Sequence, residues 1–562
     1  MSRRILITAA LPYANGDIHI GHLVEYIQAD IWNRFQNLTG NECYFICAVD
    51  AHGTPVMLKA NEKNITPEEL IETMKNCHLR DFNGFGIAFD NYHSTHSIEN
   101  KRLAEKIFSK LQDDGLIVSR KITQLYDNEK NMFLPDRYVI GICPKCGSDN
   151  QYGDSCEKCG AVYSSNELKN PKSVLSKSTP VEKESIHYFL HLNSTKKRLI
   201  EWIDETIDSN GKIQRKTQRL QKEVRNKINE WINDDLNDWD ISRDAPYFGF
   251  RIPGIEDEKY FYVWLDAPIG YMASFENFCN NNGLDFDEFW KKDSETELYH
   301  FIGKDILYFH ALYWPVILNE SGYRRPTRIF AHGFLNVNGE KMSKSRGTFI
   351  TARHYLDLGL NPDYLRYYYA SKLNDRLDDL NLNLDDFQNR INSDLIGKLI
   401  NIPSRVSGFL NSYFDNSLCE TDDEYYNNFI LPVLNIEKDV ADAYENRKYH
   451  EAIRLLMKTC DLINSQINNY APWNIEKDAD GLKKIHCVCS AAIRAFHLLV
   501  IMLQPVIPRT ANDICEILNH TIKWEDGLNV LPNGHVIQKW KHLLKRIDAK
   551  DINALLSSSS DK

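Results

Sequence analysis

The 562-residue sequence is marked first by what it lacks. No stretch approaches the ~18 consecutive apolar residues of a membrane span, so nothing in it reads as a membrane class. The opening MSRRILITAALPYANGD starts like a signal peptide, with two arginines and an apolar run. That run is too short, and Pro12, Asn15, Gly16 and Asp17 end it. An excess of positive charge is also missing: 67 Lys and Arg face 78 Asp and Glu, for a formal net charge of −11. Nucleic-acid contact must therefore come from local basic stripes. No internal repeat is found, and the thirteen cysteines do not pair off evenly. Nine of them, such as Cys43, Cys47 and Cys515, lie scattered in apolar surroundings and read as reduced core thiols. What is present is ordinary for a globular enzyme, with 43% hydrophobic and 26% charged residues. The expectation is a cytoplasmic chain of about three or four domains.

Arg4–Ala10 reads as a short buried strand, followed by a loop and a helix from about Gly21 with apolar Leu23, Ile27 and Ile31. A second apolar run, Cys43–Val49, ends at Asp50, and helical patterns follow from Pro67 to Arg80 and from Asn100 to Leu111. Strands alternating with helices predict an α/β, doubly wound parallel sheet. Between 116 and 242 short strands precede a long helical run from Leu192 to Trp231, which reads as an insertion. Tyr260–Trp264 and Leu298–Ile302 are expected to complete the sheet. From about 386 only helical periodicity remains, as in Ala452, Leu455, Leu456, Cys460, Ile463 and Ile467, so a helical bundle is expected before the polar SSSSDK end.

Three clusters carry chemistry. His19-Ile20-Gly21-His22 falls where the first helix begins, where free N–H groups, the dipole, a close-approach glycine and two imidazoles suit a polyphosphate. Taken singly, two surface histidines would be the plainer reading. Lys341-Met342-Ser343-Lys344-Ser345 follows Phe334–Val337 and the turn pair Asn338-Gly339. Two lysines and two hydroxyls on such a loop suit closure over a pyrophosphate leaving group, although a solvated charge run is the commoner fate of such a segment. Cys143-x2-Cys146 and Cys156-x2-Cys159, with Gly147, Gly153 and Gly160 for tight turns, have the pattern of a Cys₄ zinc knuckle. The alternative, two disulfides, is disfavoured in a reducing compartment.

The HIGH and KMSKS segments in this order resemble the signature of class I aminoacyl-tRNA synthetases. Within that class the resemblance narrows to the bacterial, zinc-containing methionyl-tRNA synthetase family and covers nearly the whole chain. It is carried by Ala10-Leu11-Pro12-Tyr13-Ala14-Asn15-Gly16, Asp50-Ala51-His52-Gly53-Thr54-Pro55, Trp264-Leu265-Asp266-Ala267-Pro268-Ile269-Gly270-Tyr271 and Phe301-Ile302-Gly303-Lys304-Asp305. The insertion is compact, unlike the editing domains of the valine, isoleucine and leucine enzymes. The resemblance implies methionine activation by Mg-bound ATP and transfer to elongator and initiator tRNA(Met), with one structural zinc per subunit and no membrane contact. A monomer is expected, because the chain ends soon after the helical bundle. The resemblance also implies a Rossmann-type catalytic domain in two halves (1–115 and 243–325) and a connective insertion (116–242) with its knuckle at about 138–165. A KMSKS junction domain (326–385) and an anticodon-binding all-α domain (386–562) follow. The rivals are a catalytically silent RNA-binding paralogue, which would have degraded signature segments, and an unrelated HxGH nucleotidyltransferase, which would lack KMSKS and the helical tail.

The resemblance implies catalytic and ATP-binding roles for His19, His22, Lys341 and Lys344, with Gly21, Gly303 and Asp305 also at the nucleotide. It implies a methionine pocket of Leu11, Asp50, Trp264, Tyr271 and His310, flanked by Ala10, Tyr13, Ala267, Pro268 and Ile306. Read directly, Asp50 ends a strand and suits an α-ammonium group, although helix capping is the plainer role. Trp264, Pro268, Tyr271, Ile306, Phe309 and His310 suit a thioether chain or a plain aromatic core. One methylene discriminates by only ~1–3 kcal/mol, so a polar contact near sulfur from Tyr271 or His310 is expected. Lys212, Arg215, Lys216, Arg219, Lys222, Arg225 and Lys227 read as a basic helix face, either solvated or along an RNA backbone, opposite Ile213, Leu220, Val224, Ile228 and Trp231. Pro472 stops a helix and presents Trp473, as a bundle cap or a base-stacking platform. The resemblance favours the latter, with Asn401, Arg405, Pro472 and Trp473 as anticodon readers. Two departures are Pro403 between Asn401 and Arg405 and Asn468 where an acidic residue is common in the family.

Overall fold

The computed structural model describes residues 2–153, 155–161, 163–204, 206–207, 213–233, 236–343, 348–525 and 527–557. The first apolar run is strand β1 (Arg4–Ala9), flanked by parallel β2 (Glu42–Val49) and β4 (Glu297–Gly303). With β3 (Asn91–Ser94) and β5 (Arg328–His332) it forms a five-stranded parallel sheet in the order β5-β4-β1-β2-β3. Alternate residues of β1 enter different cores. Ile5 and Ile7 pack with Leu23 and Ile27 of helix α1 (Ile20–Leu38), while Leu6 packs with Ile269 and Phe275 of helix α2 (Val263–Asn282). A strand covered on both faces reads as a continuous apolar run, as ILITA does here. Chain order reverses between β1 and β4, and the crevice outside their carboxyl ends is where such sheets take ligands.

Several expectations need correction. Tyr260–Trp264 adds no strand to this sheet: Lys259–Phe261 pairs antiparallel with Ser242–Asp244, and α2 has begun by Val263. A short apolar run alone does not distinguish strand from buried helix. The strand that completes the sheet, β5, lies beyond residue 325, so the sheet crosses the boundary expected there. The helical run from Leu192 to Trp231 is also broken, into helices Lys196–Asp204 and Lys222–Asn233 with strand Ile213–Gln218 between them. The sequence pair Asn210-Gly211 is a hairpin signal that the 3.6-residue spacing of the apolar positions concealed. Arg215 and Lys216 lie on that strand, so the basic run does not form one helix face. Arg219 is buried and donates to the Pro326 carbonyl at 3.1 Å, Arg225 pairs with Asp204, and Lys227 pairs with Glu230 at 2.7 Å. Lys212 lies outside the described residues.

Beyond the sheet, β6 (Leu335–Val337) and β7 (Glu340–Lys341) form a hairpin whose turn residues Asn338 and Gly339 take φ of 50° and 83°, and β6 also pairs with β8 (Leu380–Leu382). The helical tail packs around α3 (Asn401–Tyr413), α4 (Tyr449–Tyr470) and α5 (Ala479–Leu503). By length and composition α5 could cross a membrane, with mean hydropathy 1.8 over a window that is 94% buried. A count of strictly consecutive apolar residues misses it because His486, Ser490, Arg494 and His497 interrupt the run. The Arg494 guanidinium is satisfied by the carbonyls of Leu531 and Cys419, both at 2.8 Å, as expected for a core helix apolar on all sides.

Candidate active site

His19 caps α1. Its Nδ1 accepts from the His22 amide at 3.2 Å, and the His22 Nδ1 accepts from the His19 amide at 3.4 Å, with the rings stacked 3.5 Å apart. Burial lowers the His19 pKa to about 4, and protein packing together with His19 pushes His22 well below the usual imidazole range. Both rings are therefore neutral at pH 7. Since each Nδ1 accepts, each Nε2 carries the proton, which makes two donors beside the free amides of a helix N-terminus. The segment after the KMSKS loop is tied to this turn: the Ile20 amide donates to the Ile350 carbonyl at 3.0 Å and the Ala352 amide to the Ile18 carbonyl at 2.8 Å. A Cβ on Gly21 would come within 2.4 Å of the Met342 methyl, so glycine there lets Met342 lie against the helix start. Lys341 ends the hairpin at the same opening; Lys344 and Ser345 lie outside the described residues.

At the other end of the crevice Asp50 closes β2, its backbone held by the Pro12 carbonyl at 2.9 Å and the Ala14 amide at 2.8 Å. Its Oδ1 is buried without a hydrogen-bond partner, and burial, with Asp266 nearby, raises its pKa well above the carboxylate range. An orphan carboxylate oxygen in an apolar cleft suits a cationic ligand. The hydroxyl of buried Tyr271 donates to His310 Nε2 at 2.8 Å, and His310 Nδ1 donates to the Ile306 carbonyl at 3.1 Å. Burial lowers the His310 pKa to about 4, so it stays neutral. It sits in a π-helical turn, Phe309–Tyr313, whose wider winding re-aims a side chain. Trp264 stacks on Phe309 at 4.2 Å. A Cβ on Gly270 would meet Thr95 and Leu11 within 3 Å, so α2 packs directly on the loop after β1.

All the expected methionine residues, together with His19, Gly21, His22, Gly303, Asp305 and Lys341, line one cavity of about 1310 Å³. The sequence reading missed Glu25 and His332 on the same wall. Glu25 accepts from the Ala10 amide and lies 3.4 Å from His332 Nε2; burial raises its pKa. No local sequence signal marks Glu25, which sits in α1 among other buried polar residues such as Gln28 and Asp30. The insertion also lines the cavity, through residues such as Gln124, Tyr138 and Ser165.

The sulfurs of Cys143, Cys146, Cys156 and Cys159 lie within 4.8 Å of one another, the nearest at 3.6 and 3.9 Å. A disulfide needs about 2.05 Å, whereas four sulfurs around one ion with ~2.3 Å bonds stand about 3.8 Å apart. Gly147 and Gly160, at φ of 74° and 72°, close two matching turns in which the Cys146 and Cys159 amides point at Cys143 and Cys156 Sγ at 3.5 and 3.4 Å. This donor set is a closed four-sulfur site suited to one metal ion. Of the other nine cysteines, Cys77 and Cys419 are half-buried and the rest are buried.

At the bundle tip, α4 ends at Tyr470, Ala471 takes φ of 39°, and Trp473 is 42% exposed beside buried Pro472. The Arg405 guanidinium lies 4.8 Å from the Trp473 ring centre and donates to Asn468 Oδ1 and to the Asn464 carbonyl. Asn401 donates to Asn464 Oδ1 at 2.8 Å. Pro403 does not separate them, because it falls in the first turn of α3, after a π-helical stretch Ile391–Ile400.

The profile of the class I tRNA synthetases (M) matches residues 5–407. The methionine–tRNA ligases of Nitrosomonas europaea and Nitrosomonas eutropha are each 53% identical over 99% of this chain and 80% of their own. Among solved structures, Mycobacterium tuberculosis methionyl-tRNA synthetase in complex with methionyl-adenylate superposes with a TM-score of 0.76, covering 96% of this chain and 98% of that one. At 22% identity this last likeness speaks for the fold alone.

Proposed function

The chain belongs to the methionyl-tRNA synthetases of class I, and from that premise we infer how its cavity joins methionine to ATP and then to tRNA(Met). The observation that carries the reading is one continuous crevice with an orphan carboxylate at one end and two neutral Nε2–H donors on a helix N-terminus at the other. Asp50 takes the α-ammonium, and the thioether lies against Trp264, Ala267, Pro268, Ile306 and the Tyr271–His310 pair, with Ala10, Leu11 and Tyr13 below it. The tyrosyl hydroxyl is directed to His310, which gives the sulfur one polar, uncharged neighbour. The methionine carboxylate then attacks the ATP α-phosphorus; the bond to the β-phosphate breaks and magnesium pyrophosphate leaves. His19 and His22 donate to the phosphoryl oxygens, Lys341 and Lys344 meet the departing charge, and Gly303 and Asp305 border the nucleoside. In the second step a hydroxyl of the 3′-terminal adenosine attacks the acyl carbon and AMP leaves.

Four thiolates with no open position favour one structural zinc, which would hold the knuckle turns of the insertion without entering the chemistry. Asn401, Arg405, Pro472 and Trp473 read the anticodon by stacking and hydrogen bonding, with Trp473 as the platform. The enzyme works as a cytoplasmic monomer on both initiator and elongator tRNA(Met). Amino-acid-dependent ATP–pyrophosphate exchange over all twenty amino acids tests the activation step: methionine alone should support rapid exchange, and a faster rate with another amino acid would overturn the assignment.

A further inference from the structure

Behind the ammonium pocket lies a second carboxylate, Asp266, which does not line the cavity but acts on Asp50 from the protein side. Asp50 and Asp266 both face low-dielectric surroundings, and each has an Oδ1 that is buried without a partner. Two bare carboxylates at such a site repel, and one is driven to take a proton. The group placed to manage this is His52, two residues after Asp50 and fully buried. Its Nδ1 bonds Asp266 Oδ2 and its Nε2 lies 3.0 Å from His96 Nδ1. Resting on the methionine-binding reading above, we propose that Asp266 and His52, backed by His96, form a proton-sharing positioning unit. It cancels the second negative charge and leaves Asp50 as the one carboxylate that the substrate ammonium meets.

The hydrogen-bond arithmetic supports this. A proton shared between Asp266 and His52 makes the pair neutral whichever atom holds it. In both states His52 Nε2 carries a hydrogen, which His96 Nδ1 accepts, so His96 fixes the unit in place without changing tautomer. Burial and the neighbouring His52 lower the pKa of His96 itself, which keeps it neutral. The other ionisable groups around the unit are Tyr13, whose hydroxyl donates to the His52 carbonyl at 2.7 Å, Tyr247, whose hydroxyl accepts from the Val263 amide at 3.0 Å, and Glu68, which acts on His96. Burial holds both tyrosines neutral. Phe250 and Phe248, with ring centres 4.5 and 5.6 Å from that of His52, keep water away. The unit's charge is therefore decided by Asp266, His52 and Asp50 together.

The test is the pH dependence of kcat/KM for methionine in pyrophosphate exchange. In His52→Gln the acid limb should move up by about one pH unit or more, with methionine KM raised about tenfold near neutrality and recovering at higher pH. In Asp266→Asn the limb should move down, and the double variant should return close to wild type. A uniform, pH-independent loss in His52→Gln, or single variants with an unmoved limb, would reduce the unit to a structural prop and overturn the proposal. If His52→Gln does not fold, the downward shift in Asp266→Asn carries the test alone, and its absence is decisive. Asp50→Asn separates the two readings: it should abolish the limb, and a limb that persists there refutes the role of Asp50 as well as that of the unit behind it.

Discussion

Replacing Asp50 by Asn should make the free protein more stable and the enzyme far worse, and the two effects have separate physical origins. The ammonium loses a charge-assisted bond in a site shielded from water, worth ~2–3 kcal/mol, so methionine KM should rise about 30- to 150-fold. In the free protein the same carboxylate is a burden: its Oδ1 is buried without a partner, and burial raises its pKa well above the usual range. Because the folded pKa is raised, the folded state holds a proton that the unfolded chain releases near pH ~3.9. Asp50 therefore lowers stability progressively as pH climbs from that value through the folded one. The asparagine variant escapes this cost, ~1–2 kcal/mol, and should melt about 1–3 °C higher at pH 7.5. The advantage should vanish below about pH 4, where both carboxyl states are protonated. Differential scanning fluorimetry without ligand at both pH values, alongside exchange kinetics, reads both effects. A variant that melts lower at pH 7.5, or keeps its methionine KM, would show that Asp50 is a structural cap and not the ammonium partner.

Lys344→Ala and Lys341→Ala should each slow adenylate formation about 100-fold or more in single-turnover exchange, as expected when a leaving-group donor is removed; a loss under about threefold in folded protein would contradict the role. Purified enzyme should contain one zinc per chain by metal analysis, and Cys156→Ser should lose it and destabilise the insertion; metal-free protein of unchanged stability and full activity would refute the site. Trp473→Ala should impair aminoacylation by ~1–3 kcal/mol of lost stacking while exchange stays nearly intact, whereas equal loss in both assays would make Trp473 a packing residue.

The catalytic end of the molecule was legible because its signals are local. A cap position, a close-approach glycine and an Asn-Gly hairpin turn are each set by a few adjacent residues, and His19, Gly21 and Asn338-Gly339 adopt the conformations those patterns specify. The four-cysteine cluster is likewise two local turns brought together. What stayed hidden depends on distant partners. Glu25 reads as one more polar residue of α1 until the Ala10 amide and His332 are seen beside it. The pairing of His52 with Asp266 spans 214 residues, and neither residue announces it. Strand β5 was overlooked because its apolar run, Ile329–Ala331, is only three residues long and stands next to a motif loop. The basic run was misassigned for the opposite reason: helical spacing persisted across a segment that forms a strand.

The central claim, that this crevice makes methionyl-adenylate and passes the acyl group to tRNA(Met), is tested most directly by a transfer experiment. Enzyme incubated with radiolabelled methionine and Mg-ATP is separated from free substrates, and the isolated complex is mixed with tRNA(Met) or with a tRNA of another specificity. Label should remain with the enzyme through the separation and then move to the 3′ end of tRNA(Met) alone, with release of AMP. Label that is not retained, or that reaches both tRNAs equally, would contradict the account.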